Sequence, residues 1–386
     1  MANRYWVGGN ANWDATAGSK WSTTSGGGGG SAVPTTSDDV FLDNGTGTGN
    51  VTISATANAK SLTCTSYTGI ITWNAVLNVV NSVTFVSGQV TMAGTGGNLN
   101  ITSTSTLTSG GKTLPCALTI AGSAITYTLG DDWTVNGTLT TGGGAQVVNG
   151  NNFYLKGSLT IAQNNNVSGT TIFNLIGTGT WGSATTGNCL LKNSLVINTA
   201  GTITLGTTGT IQYNTGTLTY TAGTVVTTGS TLTINASTTL NTAGIVFNNI
   251  TCNATQTLTN NSLLTATGTL TKSAAITWAG SAGFTVANFT DTTAGLTHTY
   301  VAGLTYTVTT AFTATGTAAS HKAFISSTPT SPYYFILSPG CTTDIEYLNV
   351  TDADSSDGRP IWAFKPTLTR TKNWNSLVAW GTYAFS

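Results

Sequence analysis

The chain has 386 residues and almost no charge: 12 Lys and Arg balance 12 Asp and Glu, and the formal net charge is zero. Charged residues make up 6% of the sequence, against roughly 25% in an ordinary soluble domain. Without a basic excess there is no electrostatic footprint for nucleic acid or an anionic membrane, so we expect neither as a partner. Thr alternates with Leu, Ile and Val throughout, which excludes a disordered chain.

The first 44 residues, 1–44, differ from the rest in carrying regularly spaced tryptophans and a run of glycines. Trp6, Trp13 and Trp21 recur every seven or eight residues, and residues 38–43 then alternate as a first strand would. Aromatic side chains at the end of a β-array often cover its last open coil. The segment is predicted to be an N-terminal cap, a segment that attaches the protein to a larger assembly, or both.

The motifs near the start of the chain follow a recognisable order. They run YWVGG, NW, KW, a glycine-rich stretch, VPTTSDDVFLD, NVTI and AKSLT. This order resembles the opening of β-helical surface proteins, both autotransporter passenger repeats and phage-encoded virion proteins. An autotransporter would also carry an N-terminal signal and a translocating barrel of alternating strands of about ten residues. We find no sign of either, so the resemblance favours the phage proteins.

Residues 45–325 are predicted to form a parallel β-helix, or β-solenoid. In 201–234, Thr alternates with apolar residues in runs of three to five, spaced seven or eight apart and separated by Gly, Ser or Asn. Such runs are typical of half-buried strands on the sides of a coil. Coils of about 22 residues would give about 12 turns. Earlier strands are predicted at 51–53, 61–64, 70–73, 83–85, 90–92, 99–101 and 118–120.

The last segment, 326–386, changes in composition. Five of the seven prolines fall after residue 328, and nine charged residues lie between Asp344 and Lys372. The order IEYLNVTDADSS, then NWNS, resembles the terminal coil of the same β-helical proteins. The segment is predicted to be a C-terminal cap or small head whose apolar anchors are Trp362, Trp374 and Trp380.

Most of the chain offers little for catalysis. No acidic residue lies between Asp132 and Asp291, whereas β-helical lyases and glycosidases need paired carboxylates on one face. His298 and His321 stand among Thr and Ala, so we expect structural roles for both. The GxGxxG pattern of 177–182 lacks a following helical sequence and is a chance match in a chain with 47 glycines. We predict a protein that is not an enzyme and has no cofactor.

The cysteines and apolar segments add further exclusions. The odd number and wide spacing of the cysteines indicate neither a metal site nor a disulfide framework. The N-terminus lacks the apolar core of a secretory signal, and no run of about 18 apolar residues predicts a transmembrane helix. We therefore expect no membrane insertion and buried free thiols at Cys64, Cys116, Cys189, Cys252 and Cys341.

Two groups near the end of the chain are candidates for ligand binding. Asp352, Asp354 and Asp357 lie on the stretch DADSSDG, which suits either a Ca²⁺ loop or a solvated turn. Its spacing departs from that of an EF-hand loop, which favours the turn and no metal. Exposed aromatic rings stack on sugars, and the predicted binding residues are Tyr333, Tyr334, Trp362 and Trp374.

These observations favour a non-enzymatic structural protein of a phage virion: a spike, a fibre or a capsid-decoration subunit. Its expected partners are other virion proteins and, as a further hypothesis, a glycan of the host surface. The resemblance to such spikes implies a homotrimer. Two alternatives stay open: a bacterial surface adhesin, and a β-helical polysaccharide-degrading enzyme working with the carboxylates of its last segment.

Overall fold

The computed structural model describes residues 2–13, 19–45, 49–86, 90–162, 165–183, 189–207 and 211–377. Over these ranges the chain is all-β, with parallel strands stacked as a β-solenoid of about 15 turns. The predicted fold class is therefore confirmed. None of these residues lies in a helix, so the described ranges hold no helix that could cross a membrane.

The chain divides into two compact units, and each has its own series of short strands. The first unit comprises Met1–Gly209 with Ala222–Thr224. Its strands are β1 (Asn3–Trp6), β2 (Ala11–Asn12), β3 (Trp21–Ser22), β4 (Asp39–Leu42), β5 (Val51–Ile53), β6 (Ala57–Ala59), β7 (Ser61–Cys64), β8 (Ile70–Trp73), β9 (Val76–Val79), β10 (Val83–Phe85), β11 (Thr91–Ala93), β12 (Asn98–Ile101), β13 (Ser105–Thr108), β14 (Thr113–Leu114), β15 (Ala117–Ile120), β16 (Ile125–Leu129), β17 (Trp133–Val135), β18 (Leu139–Thr141), β19 (Ala145–Gly150), β20 (Phe153–Leu155), β21 (Leu159–Ile161), β22 (Asn165–Ser168), β23 (Phe173–Leu175), β24 (Gly179–Ser183), β25 (Cys189–Leu191) and β26 (Leu195–Leu205).

The second unit comprises Thr210–Thr221 with Val225–Ser386. Its strands are β27 (Ile211–Tyr213), β28 (Thr217–Val226, which includes the three residues 222–224 of the first unit), β29 (Thr231–Ile234), β30 (Thr238–Asn241), β31 (Val246–Phe247), β32 (Asn249–Cys252), β33 (Gln256–Asn260), β34 (Leu264–Lys272), β35 (Ile276–Gly280), β36 (Phe284–Asp291), β37 (Thr297–Tyr300), β38 (Thr305–Thr315), β39 (Lys322–Ser326), β40 (Tyr333–Leu337), β41 (Thr342–Glu346), β42 (Leu348–Thr351), β43 (Ala353–Asp354), β44 (Ile361–Phe364), β45 (Thr367–Thr369) and β46 (Trp374–Leu377).

The strands stack in register because apolar and polar residues alternate with the period of a strand. In the first unit Leu118 pairs with Leu139, which pairs with Leu159, and all three are fully buried. The intervening Thr119 and Thr140 form an outward column beside them. Turns at the ends of the chain differ in length, as Asn3 with Asp39 and Ile361 with Trp374 show, but in the first unit pairs such as Trp133 with Phe153 or Val83 with Leu107 give turns of 20 to 24 residues. The predicted coil length is confirmed.

The turns number more than the 12 expected because the ladder extends into both end segments. At the start, β1 pairs in parallel with β4, and β4 with β7. At the end, β39 pairs with β42 and β42 with β45, also in parallel. Backbone amides and carbonyls of these segments are thus satisfied by the same coil-to-coil hydrogen bonds as the middle of the chain.

The stretch that first indicated the solenoid contains longer strands than its sequence predicts. β26 has 11 residues and β28 has 10, where runs of three to five were expected. Within β28, Gly223 has a φ of 112°, a conformation that only glycine adopts without strain. Glycine therefore lets the backbone change direction while it continues to pair as a strand.

Three tryptophans fill the interior of the first turn. Trp6, Trp13 and Trp21 are all at most 1% exposed, and Trp21 contacts both others edge-to-face at centroid distances of 5.1 and 4.9 Å. Buried aromatic groups of this kind exclude water from the end of a core. The rings pack inside the protein, and attachment through other residues of 1–44 stays a prediction.

Candidate functional site

The four aromatic residues predicted to bind a ligand do not form one surface. Tyr333 is fully buried and stacks on Tyr300 with ring centroids 4.8 Å apart, and Trp374 is 6% exposed beneath β44. Tyr334 is half-buried, and Trp362 is exposed to 40%. Alternation along the strands explains the difference, because neighbouring residues point to opposite faces: Tyr333 and Tyr334 are neighbours on β40, and Trp374 pairs with the buried Ile361, the residue before Trp362. Trp362 and Tyr334 alone offer a ring to solvent, and their binding role stays a prediction. Trp380 lies outside the described residues.

The carboxylates of the DADSSDG stretch are paired with cations rather than with one another. Asp352 accepts from Arg370 Nε at 2.5 Å and Nη2 at 2.9 Å, while Asp354 Oδ2 lies 3.0 Å from Lys372 Nζ. The Arg370 hydrogen bond lowers the pKa of Asp352 against the opposing effect of burial. Burial also opposes the lowering at Asp354, where hydrogen bonds from Ser356, followed by the contact with Lys372, lower the pKa. Asp357 is exposed. In the described ranges no three His, Cys, Asp or Glu side chains are placed to hold a metal ion.

The two ion pairs border a cleft of ≈ 380 Å³ on the second unit. Thr330 and Pro332 line its other side, and Thr330 N donates to Asp352 Oδ2 at 3.1 Å. The cleft therefore presents fixed carboxylate and cationic groups beside an apolar ring, which are groups that bind hydroxyl-rich ligands. The sequence indicated its acidic half and missed the basic half, because Arg370 and Lys372 lie one turn further along the chain.

A second surface groove, ≈ 450 Å³ in volume, lies on the first unit. Tyr154 follows Thr134 in an outward column, and Lys112, Asp132 and Lys156 surround it. Asp132 Oδ1 accepts a hydrogen bond of 2.9 Å from Asn152 N, which fixes the carboxylate at the corner of a turn. The proximity of these residues depends on the register between turns, which the sequence alone does not give.

Four ionisable side chains lie inside the second unit, where the sequence predicts an apolar core. Lys272, Asp291, His298 and Lys322 are each at most 1% exposed, and we call them the Asp291 cluster. His298 has a carboxylate neighbour that its sequence surroundings of Thr and Ala do not reveal, because Asp291 Oδ2 lies 2.7 Å from its Nε2. His321, in contrast, lies outside the cluster and contacts Asn349 at 2.9 Å.

Asp291 is the centre of the cluster. Lys322 Nζ donates to Asp291 Oδ1 at 2.5 Å and to the carbonyl of Thr293, and Lys272 Nζ lies 3.9 Å from Asp291 Oδ2. Lys272 Nζ also donates to Tyr300 Oη at 3.0 Å. The carboxylate therefore faces two ammonium groups and an imidazole in an interior without solvent contact.

Aromatic rings enclose the cluster. Lys272 Nζ lies 4.5 Å from the ring centroid of Phe289 and 5.2 Å from those of Tyr300 and Phe324. The His298 ring packs edge-to-face on Phe324 with centroids 5.6 Å apart. Cation–π contacts of this kind offset part of the cost of burying an ammonium group.

The backbone assigns the protonation state of the imidazole. Ile276 N donates to His298 Nδ1 at 3.1 Å, so Nδ1 accepts and Nε2 carries the proton. Burial, with the positive charge of Lys272, lowers the pKa of His298 to about 4. At neutral pH the imidazole is therefore uncharged.

Burial has opposite consequences for the lysines and the carboxyl. It lowers the pKa of Lys272 to about 7 despite the nearby Asp291 charge, and it lowers the pKa of Lys322 as well. For Asp291 burial alone would raise the pKa, but contacts with His298 and the two lysines outweigh it and the pKa falls. The cluster holds an ionised carboxylate next to amines that lose their protons easily.

A sequence signal could have identified this cluster. Each member occupies an inward position, two residues from a core aromatic or aliphatic residue on the same strand, as in the pairs Leu270 and Lys272, Phe289 and Asp291, His298 and Tyr300, and Lys322 and Phe324. Applying the strand period to the few charged residues would have placed all four inside.

The other predicted features have simple outcomes. The glycine pattern at 177–182 leads into a strand, β24, and not into a helix, so the chance interpretation agrees with the structure. Four cysteines are buried free thiols as expected, namely Cys64, Cys116, Cys252 and Cys341; the side chain of Cys189 lies outside the described residues.

Comparisons with known proteins identify no relative of this chain. No protein-family model, no curated protein and no solved structure matches it.

Proposed function

We propose that this chain is a non-enzymatic structural subunit of a phage virion, acting as a spike, a fibre or a capsid decoration. The observation that carries the proposal is the outer surface of the turns, where neutral polar side chains stack in hydrogen-bonded columns. Asn78 Nδ2 donates to Asn58 Oδ1 at 3.1 Å, and Asn100 Nδ2 donates to Asn78 Oδ1 at 2.9 Å. Such a surface stays polar without charge, which suits a particle component that meets varied salt and pH.

Two further observations support the same proposal. The motif order that opens the chain resembles phage virion proteins with a β-helix. The parallel ladder then adds inter-turn hydrogen bonds at every strand, which suits a stiff scaffold. Other virion proteins are the proposed partners. A homotrimer is the proposed assembly, because the resemblance to virion spikes implies one.

A glycan of the host surface is the proposed external ligand. Trp362 offers an exposed indole ring on the second unit, and the cleft beside Asp352 and Arg370 offers charged hydrogen-bonding groups. Aromatic rings bind sugars through stacking, and charged groups in a cleft bind them through directed hydrogen bonds. Trp362→Ala should weaken adsorption to host cells, whereas Val246→Ala, which alters an apolar residue exposed to 44% on the same unit, should not.

Mass spectrometry of purified particles tests the location directly. The proposal predicts peptides of this chain in particles that survive gradient purification and protease washing. Absence of the chain from such particles, together with its detection on intact cells that carry no phage genes, would support the adhesin instead.

Turnover of host capsular glycan by the purified protein would support the alternative that this chain is a polysaccharide-degrading enzyme. In that case Asp352→Ala and Asp354→Ala should abolish the activity, because these carboxylates border the cleft. The structural proposal predicts no turnover by the wild-type protein at any pH between 5 and 9.

A further inference from the structure

We propose that Lys322 and Asp291 condense into an amide, forming an intramolecular isopeptide bond across the interior of the second unit. The bond would join β39 to β36, which are not hydrogen-bonded neighbours. It would therefore connect two sides of the solenoid that its backbone ladder leaves unconnected. This modification is independent of the proposed location in a virion.

The reacting atoms are already close. Lys322 Nζ lies 2.5 Å from Asp291 Oδ1. Since a carboxyl C–O bond is about 1.2 Å long, Nζ lies within about 3.7 Å of Cγ. Reacting atoms in a near-attack arrangement are about 3–3.5 Å apart. The Thr293 carbonyl accepts a second hydrogen bond from the same amine and holds it at the carboxyl.

The reaction requires no external reagent. Transfer of a proton from the Lys322 ammonium to Asp291 gives a neutral amine and a carboxylic acid. The amine nitrogen attacks Cγ, the bond from Cγ to Oδ2 breaks, and Oδ2 leaves as water with the acid proton and one amine proton. Oδ1 remains as the amide oxygen, so the ion pair is converted into one amide and one water.

Neighbouring groups assist at the oxygen that leaves. His298 Nε2, which carries a proton, lies 2.7 Å from Asp291 Oδ2, and Lys272 Nζ lies 3.9 Å from the same atom. Both stabilise negative charge that develops on Oδ2 in the tetrahedral intermediate. His298 and Lys272 are positioning residues here, because neither forms a bond to the product.

The environment favours the amide over the ion pair. Both side chains are fully buried, and condensation removes two charges from this interior. Fixed neighbours within one fold also react as if at about 10⁵–10⁸ M, which opposes hydrolysis. Burial lowers the pKa of Lys322, so the neutral amine is more readily populated than in water.

The chain contains a matched control for this chemistry. Lys60 Nζ lies 2.9 Å from Asp39 Oδ2, but the two side chains are 24% and 23% exposed. Water solvates this pair and stabilises its ions. If proximity alone were enough for the reaction, an amide would form here as well. If water must also be excluded, no amide forms. We expect Lys60 and Asp39 to remain unlinked.

Intact-mass measurement of the denatured, full-length protein tests the proposal. The expected mass is lower than the sequence mass by one water. Chymotryptic digestion should give a branched peptide that contains both Asp291 and Lys322, since Tyr300, Tyr306 and Phe312 provide cleavage sites between them. A wild-type protein at the full sequence mass, with unmodified Lys322 peptides, would overturn the proposal irrespective of how any variant folds.

Variants then assign the bond. Lys322→Arg and Asp291→Ala should restore the sequence mass, whereas Lys60→Arg, at the exposed control pair, should keep the loss of water. His298→Gln should slow the loss of water after refolding by about tenfold or more, as removal of a charge-stabilising donor does. A link that maps to Lys272, or one that forms equally between Lys60 and Asp39, would contradict the assignment to Lys322 and Asp291.

Discussion

The interiors of the two units differ in chemistry although both are built from the same strand repeat. In the first unit the series Trp133, Phe153 and Phe173 forms an apolar inward column that pairs in register and is at most 1% exposed, and fully buried polar residues such as Gln146 are uncharged. In the second unit the corresponding kind of inward position holds Lys272 and Asp291. A solenoid repeat therefore fixes where side chains point without fixing what they must be, and reactive groups can be placed in an otherwise inert scaffold.

The largest expected effect on stability comes from removing the carboxylate at the centre of the Asp291 cluster. Asp291→Ala leaves two buried lysines without their carboxylate and prevents the proposed amide, so the free energy of unfolding should fall by about 3–5 kcal/mol. Denaturant titration followed by circular dichroism measures this. Adding Lys322→Met to the same chain should recover part of the loss, because it removes one of the two lysine charges that Asp291→Ala leaves without a carboxylate. If the loss in the double variant equals the sum of the losses in the two single variants, Asp291 and Lys322 are not coupled.

The Asp291 cluster should also make the free energy of unfolding vary with pH. His298 has a folded pKa of about 4 against an ordinary value of 6.5, so the unfolded chain binds the proton more readily. Its contribution is complete above pH 6.5 and is lost as the pH falls towards 4, by about 3 kcal/mol in all. Unfolding titrations of wild type and His298→Gln should therefore diverge over this range.

A packing variant serves as the control for that titration. Phe324→Leu disturbs the same interior without changing an ionisable group, and it should lower stability by a similar amount at pH 4 and at pH 7. If wild type and His298→Gln lose stability in parallel between pH 6.5 and 4, burial of a neutral His298 is refuted.

The solenoid could be predicted from the sequence alone, but the Asp291 cluster was not. The solenoid was predictable because the alternation of Leu118 with Thr119 repeats from turn to turn with a nearly constant length. The Asp291 cluster was overlooked because its members are 7 to 50 residues apart in the sequence and meet only through stacking. The strand period places each of them at an inward position, although charged residues ordinarily lie on the surface.

Smaller losses are expected from the outer columns of the first unit. Asn78 bridges Asn58 and Asn100 across two neighbouring turns, and Asn78→Ala should lower the free energy of unfolding by about 1 kcal/mol. Thr140→Ala, two turns beyond Asn100 on the same outward column, should stay within about 0.5 kcal/mol of wild type. Equal effects of both variants in denaturant titrations would show that the asparagine column adds nothing to a strand surface.

The smallest effect is expected at the exposed ion pair of the first unit. Lys60→Met removes the contact with Asp39 and should cost less than about 1 kcal/mol, because water screens both charges. The loss should shrink further in about 1 M salt, where the Debye length is about 3 Å. If Lys60→Met lowers the free energy of unfolding as much as Asp291→Ala does, burial does not explain the difference expected between the exposed pair and the buried one.

Electron microscopy of purified particles tests the central claim, that this solenoid is a structural part of a virion. The account predicts density for a β-solenoid of this chain at a fixed place on the particle, with strand spacing of about 4.8 Å along its stack. Particles whose every density is explained by other proteins, from a host that nevertheless produces this chain, would contradict it.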